Sequence, residues 1–151
     1  MHLKSLKETK NLSKKISKLI KNGDVILLYG QIGVGKTTFV RFLINNLQNK
    51  EKIKKCNVLS PTFNIVYDYN IKNIKILHYD LYRIKNHNEI HELGVFENLS
   101  NTITIVEWPE LIKIKPKNRI EIWFRYVQSG KKRAVKLKSF GKLKKINFYE
   151  I

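Results

Sequence analysis

The chain has 151 residues, of which 42% are hydrophobic and 28% charged, with a formal net charge of +18. That length suggests one domain with a sizeable core, and no apolar run is long enough to span a membrane. The N-terminus is polar and the one cysteine is Cys56, which excludes an internal disulfide and, without an export signal, points to a cytoplasmic protein. The positive charge fits a polyanionic partner. The chain is also rich in Lys, Asn and Ile, all encoded by A/T-rich codons, so base composition alone explains a high lysine count.

Ser5-Leu6-Lys7-Glu8 predicts a helix start, with Ser5 capping and Glu8 reaching back. Leu12, Ile16, Leu19 and Ile20 follow at helical spacing, and Asn22-Gly23 ends the helix. Lys14, Lys15 and Lys18 read as a solvated face. Val25-Ile26-Leu27-Leu28-Tyr29 is an apolar run that predicts a buried parallel strand.

Gly30 to Thr37, Gly-Gln-Ile-Gly-Val-Gly-Lys-Thr, fits the phosphate-loop pattern. Gly30, Gly33 and Gly35 let the backbone bend so that amide N–H groups point inward at a phosphate. Lys36 can place an ammonium near the β- and γ-phosphates, and the Thr37 hydroxyl is placed for magnesium. Phe39, Val40, Leu43, Ile44 and Leu47 then recur at helical spacing, completing strand, loop and helix. A plain Gly-rich turn does not need Gly, Lys and Thr at these offsets.

Residues 48–57 are polar and read as a loop. Pro61 makes Ser60-Pro61-Thr62-Phe63 a rigid, extended bend. Phe63, Ile65, Tyr67 and Tyr69 alternate with polar residues and predict a strand; Asn70 to Asn73 can turn, and Ile74 to Tyr79 can return. A hairpin here implies a mixed sheet.

His78-Tyr79-Asp80-Leu81-Tyr82-Arg83 closes that strand with dense polar chemistry, which an Asp80–Arg83 surface ion pair also explains. Asn88 can cap a short helix that Gly94 ends. His87 and His91, with Glu89 and Glu92 nearby, read as a solvated helix face rather than a metal site. Thr102 to Val106 is a β-branched run ending in Glu107-Trp108-Pro109-Glu110, and an acid there is where a phosphate-loop protein places a second magnesium ligand. A water-exposed strand cap is the alternative. Ile120, Ile122, Phe124 and Tyr126 alternate with Glu121, Trp123 and Arg125; Ser129-Gly130 turns the chain, Val135 and Leu137 return, and Ile146 to Tyr149 forms a last apolar segment.

These motifs occur in the order of one family. Gly30 to Thr38, Ser60-Pro61-Thr62-Phe63, His78 to Arg83, Leu93-Gly94 and Glu107-Trp108-Pro109-Glu110 together resemble the TsaE (YjeE) family, the small ATPases of bacterial tRNA threonylcarbamoyladenosine synthesis. The resemblance covers nearly the whole chain. It implies an α/β fold, one phosphate-loop NTPase-like domain over 1–151 with a mixed parallel and antiparallel sheet flanked by helices. It implies a magnesium-dependent ATPase, slow alone and stimulated by partners, needed to modify the adenosine beside the anticodon of tRNAs that read codons beginning with adenine. The partners implied are TsaD-type and TsaB-type subunits, which carry out the transfer and which ATP hydrolysis would reset. Contact with tRNA is expected to be indirect or weak, and no membrane is involved.

The same resemblance implies roles residue by residue. ATP contacts fall on Thr9, Gly33, Val34, Gly35, Lys36, Thr37, Thr38 and Trp108. Thr37 and Glu107 would hold Mg2+. Asp80 is the catalytic carboxylate that orients or deprotonates water, with Lys36 on the β- and γ-phosphates. Ser60-Pro61-Thr62 resembles a switch-like segment, and Arg83 is a candidate arginine finger. Lys131, Lys132 and Arg133 all lie where the family has a nucleotide-binding Arg, and Arg133 is taken as that residue. Gln31 stands where the family usually has Asp. Two other functions share some of these features. One is a phosphate-loop kinase of a small metabolite. The other is a basic nucleic-acid-binding module using Trp123 and Tyr126 for stacking, although core packing is the preferred reading of those aromatics.

Overall fold

The computed structural model describes residues 1–127 and 132–145. The Ser129-Gly130 turn, Lys131 and the Ile146 to Tyr149 segment lie outside the described residues. Ten regular elements follow in order: β1 (His2–Leu3), α1 (Leu6–Ser17), β2 (Val25–Tyr29), α2 (Lys36–Lys50), β3 (Val66–Ile71), β4 (Ile74–Asp80), α3 (His87–Glu92), β5 (Thr102–Glu107), β6 (Arg119–Val127) and β7 (Lys132–Phe140). The strands form one seven-stranded sheet in the order β1-β7-β6-β2-β5-β4-β3. β6, β2, β5 and β4 are parallel, and antiparallel pairs close both edges, β1–β7–β6 on one side and β4–β3 on the other. The mixed α/β sheet expected from the sequence is therefore present.

β2 is the centre because both of its faces are apolar. Ile26 and Leu28 join Leu12 and Ile16 of α1 and Phe39, Leu43 and Leu47 of α2 in one core. Val25 and Leu27 join Leu81, Ile90, Val95 and Ile112 on the other side. All four β2 residues are fully buried, each contributing roughly 1.5–3 kcal/mol by leaving water. No helix among the described residues is long and apolar enough to cross a membrane.

Several local details differ from the sequence reading. α1 ends at Ser17, so Leu19 and Ile20 lie in the following turn rather than in the helix. Ser5 caps it by accepting from Glu8 N–H, but the Glu8 carboxylate reaches back to the Lys4 N–H rather than that of Ser5. β3 starts at Val66; Ile65 has φ +67 and Phe63 is 82% exposed, so the aromatic alternation begins outside the strand. Asn86, not Asn88, caps α3, accepting from Glu89 N–H at 3.1 Å. Its side chain is the one that reaches the first free amides, since capping bonds the residue three positions on.

Candidate nucleotide site

Three parallel strands end side by side. Leu28 of β2 and Asp80 of β4 are both in register with Glu107 of β5. The Trp108 N–H donates to the Leu28 carbonyl at 3.2 Å, holding the β5 exit against the start of the Gly30–Thr37 loop. The carboxyl ends of parallel strands are where open α/β sheets bind ligands, and here they bring the loop, Asp80 and Glu107 together.

The loop needs its glycines. Gly30 has φ +133, and a Cβ there would collide with the Phe124 carbonyl oxygen of β6. Gly35 has φ +113 and is the N-cap of α2, yet no side chain caps that helix. The first-turn N–H groups of α2 therefore have neither an intrahelical nor a side-chain partner, and they form an anion site with the helix dipole behind it. Nothing lies within 4 Å of where a Gly35 Cβ would stand, so the loop opens onto free space there.

Lys36 is buried inside this curl. Its ammonium donates to the Gly30 carbonyl at 2.5 Å and the Gln31 carbonyl at 3.2 Å, and sits 3.8 Å from the Trp108 ring centroid. Burial lowers its pKa from the usual lysine value, while Glu107, Asp80 and Glu110 pull the other way. Trp108 reaches over Lys36 from a left-handed backbone position, φ +58, immediately before Pro109.

Two carboxylates face the cavity, each held by its own partners. Glu107 is buried; its Oε2 accepts from the Thr37 hydroxyl at 3.0 Å, and its Oε1 lies 2.9 Å from His78 Nε2. The water-exposed strand cap is thereby excluded for Glu107. Asp80 Oδ2 accepts from the Thr62 hydroxyl at 2.6 Å and Oδ1 from the Tyr82 N–H at 3.0 Å. Asp80 does not pair with Arg83, whose guanidinium lies over the Phe63 ring at 5.6 Å. Ser60 Oγ is 2.9 Å from Thr62 Oγ1, which ties the Ser-Pro-Thr bend to the Asp80 carboxylate.

The loop separates two cavities that share Gly33, Gly35 and Thr38. One, of about 210 Å³, is lined by Lys36, Thr37, Ser60, Thr62, Asp80, Tyr82, Glu107 and Trp108. The other, of about 310 Å³, is lined by Leu3, Thr9, Val34, Phe124 and Arg133 among others. Of the residues expected to contact nucleotide or magnesium, Lys36, Thr37, Asp80, Glu107 and Trp108 border the first cavity, Thr9, Val34 and Arg133 the second, and Gly33, Gly35 and Thr38 both. Arg83 borders neither.

The sequence reading missed two residues. His78 was visible only as part of a polar cluster. It lies on the same face of β4 as Asp80, and in the sheet it becomes the second partner of Glu107. For Tyr126 the sequence favours core packing over stacking, and the side chain does pack against the core under α1 and α2; nothing in the sequence signals that its hydroxyl donates to the Ile32 carbonyl at 3.2 Å. Beside it Arg133 Nε donates to the Val34 carbonyl at 3.2 Å. Lys132 is in register with Val127 and points to the opposite sheet face. Among the described residues no group of three or more His, Cys, Asp or Glu side chains could hold a metal by itself.

Comparison with known proteins agrees with this architecture. The family model described as "Threonylcarbamoyl adenosine biosynthesis protein TsaE" matches residues 3–135. A protein of Rickettsia typhi described as "tRNA threonylcarbamoyladenosine biosynthesis protein TsaE" is 45% identical over 114 residues, covering 75% of this chain and 76% of its own length. One of the same description from Bacillus subtilis is 34% identical over 117 residues, covering 76% and 70%. The crystal structure of Bacillus subtilis YdiB is similar with a TM-score of 0.74 and 27% identity, over 95% of this chain and 86% of that one. With the motif order, the site and the family match in agreement, the chain belongs to the TsaE family of threonylcarbamoyl adenosine biosynthesis proteins.

Proposed function

We propose that this chain binds ATP with magnesium and hydrolyses it, slowly alone and faster with TsaB-type and TsaD-type partners, so as to reset the complex that modifies tRNA. Its membership of the family gives it a role in tRNA threonylcarbamoyladenosine biosynthesis. The observation that carries the ATPase reading is the convergence, in one cavity, of the uncapped start of α2, the Thr37–Glu107 pair and the Thr62–Asp80 pair.

The donor set suits magnesium. Thr37 Oγ1 and a Glu107 carboxylate oxygen are hard oxygen ligands, and two ligands from the protein are what a nucleotide-bound magnesium ordinarily takes. When bound, the ion would neutralise charge on the transferred phosphoryl group. Lys36 leaves the Gly30 and Gln31 carbonyls to reach the β- and γ-phosphates, which restores the counter-charge that burial denies it. Asp80, fixed by Thr62 and the Tyr82 N–H, accepts a hydrogen bond from the attacking water and orients it in line. Thr9, Val34 and Arg133 border the cavity that takes the base. The metabolite-kinase reading is less favoured, because β6 and β7 occupy the stretch where an arginine-bearing helical lid would be expected.

The test is Mg-ATP hydrolysis by the purified chain, with and without TsaB-type and TsaD-type subunits. Weak turnover that rises with the partners supports the proposal. ATP binding with no turnover in either condition overturns it. Asp80→Ala is expected to bind ATP within about threefold of wild type and to hydrolyse it roughly 10²- to 10⁴-fold more slowly.

A further inference from the structure

The sheet has a second face that no helix covers over β6 and β7, among the described residues. Ile120, Ile122, Phe124, Val135 and Leu137 pack on the side of α1 and α2. Alternation therefore puts Trp123 and Arg125 of β6, and Lys136 and Lys138 of β7, on the opposite side. The apolar layer that covers that side of β2, β5 and β4 includes no residue from β6 or β7.

This open face is built around an aromatic stack. The Trp123 and Tyr29 rings lie 5.0 Å apart and within 11° of parallel. Lys138 Nζ is 5.5 Å from the Trp123 centroid, and Lys115 Nζ is 5.3 Å from that of Tyr29. Trp123, Arg125, Lys136 and Lys138 line a groove of about 670 Å³. Arg125, Lys136 and Lys138 have no carboxylate partner among the described residues. The acid on this face, Glu121, is buried and already engaged by Arg119 at 2.7 Å and Lys115 at 3.8 Å.

We propose that this face binds RNA, with Arg125, Lys136 and Lys138 on phosphates and Trp123 as the platform for an unpaired base. Cations on alternate positions of one strand stand about 7 Å apart, a ladder along which an extended polyanion can run. An aromatic ring set among them adds sequence-tolerant stacking, the combination that sheet surfaces use to hold single-stranded RNA. A base stacked on Trp123 displaces the Lys138 ammonium from over the ring toward a phosphate. An acidic peptide uses the cations and leaves the ring without a role. A membrane surface calls for a projecting apolar face, which this groove lacks. The groove shares no residue with either nucleotide cavity, so the inference stands apart from the ATPase proposal.

The experiment is fluorescence anisotropy of a labelled tRNA transcript titrated with the full chain across a salt series. Lys136→Glu with Lys138→Glu is compared with Lys14→Glu with Lys18→Glu, an equal charge change on exposed positions of α1 and the turn after it. The groove pair is expected to weaken binding at least about tenfold near 100 mM salt and to lower the log–log salt slope by about two. The α1 pair is expected to cost less than about threefold. Equal losses from both pairs make the effect one of net charge and overturn the proposal, as does the absence of saturable tRNA binding by wild type. Tighter binding to anionic vesicles or to a polyglutamate peptide than to tRNA also overturns it. In a Trp108→Phe background the remaining emission is that of Trp123, and tRNA is expected to quench it; binding without quenching removes the stacking contact.

Discussion

An ammonium only 4% exposed, with its nearest partners two carbonyls of its own loop, is held at Lys36 against its desolvation. Burial favours the neutral amine in the folded chain, whereas the unfolded chain keeps the ordinary value of 10.5. Between the lowered folded value and 10.5 the unfolded state binds more protons, so stability rises with pH through that window. Lys36→Met removes this dependence. Wild type is expected to gain stability relative to Lys36→Met as pH rises toward 10.5, read by urea unfolding at several pH values. The neighbouring pair behaves differently. His78 and Glu107 are both buried and bonded to each other, so His78→Ala leaves a carboxylate oxygen without its donor and opens a cavity. The expected loss is about 2–4 kcal/mol in the same unfolding experiment. The Gly30–Thr37 loop was legible in the sequence because its pattern is local, eight consecutive residues with fixed offsets. The His78–Glu107 pair was not, because 29 positions separate the two and only the β4–β5 register makes them meet.

At the scale of elements, the paired strands β6 and β7 brace the Gly30–Thr37 loop. The Phe124 carbonyl lies close against Gly30, leaving no room for a Cβ there, while Tyr126 gives its hydroxyl to the Ile32 carbonyl and Arg133 its guanidinium to that of Val34. Arg133 also lies 5.6 Å from the Tyr126 ring centroid, so the two contacts support each other. Arg133→Ala is expected to weaken binding of a fluorescent ATP analogue about tenfold while leaving turnover at saturation near wild type, since the residue is remote from Asp80. Comparable losses in affinity and turnover would instead mean that the loop itself has moved. Hydrophobic alternation revealed β6 and β7 in the sequence and even which side chains share a face. It carried no information on which strand β6 would join, because choice of a parallel partner is made through the packing of both sheet faces at once. β1, two residues long, has no pattern to read; it exists because Leu3 is buried and the His2–Leu3 backbone completes the edge of β7. Phe63 misled for the opposite reason, since the alternation it starts is interrupted by Ile65 in the left-handed region.

At the scale of the whole molecule, the two cavities lie on either side of one loop, with walls contributed by β1, α1, β2, α2, β4, β5, β6 and β7 or the residues that follow them. A ligand that spans them touches nearly every layer of the fold, and so its binding energy reports on global rather than local unfolding. A ligand at 100 times its dissociation constant stabilises the folded state by about 2.7 kcal/mol. For a domain of this size each kcal/mol moves the midpoint by about 2–4 °C, so saturating Mg-ATP is expected to raise Tm by roughly 5–10 °C. Lys36→Ala is expected to abolish the shift, and omission of magnesium to reduce it if Thr37 and Glu107 hold the ion as proposed. Thermal unfolding followed by circular dichroism checks both. A shift preserved in Lys36→Ala would place the nucleotide outside the phosphate loop, and an equal shift with inorganic polyphosphate would reduce the effect to the +18 charge of the chain. A shift specific to Mg-ATP and dependent on Lys36 leaves the loop between the two cavities as the place where nucleotide and fold are coupled.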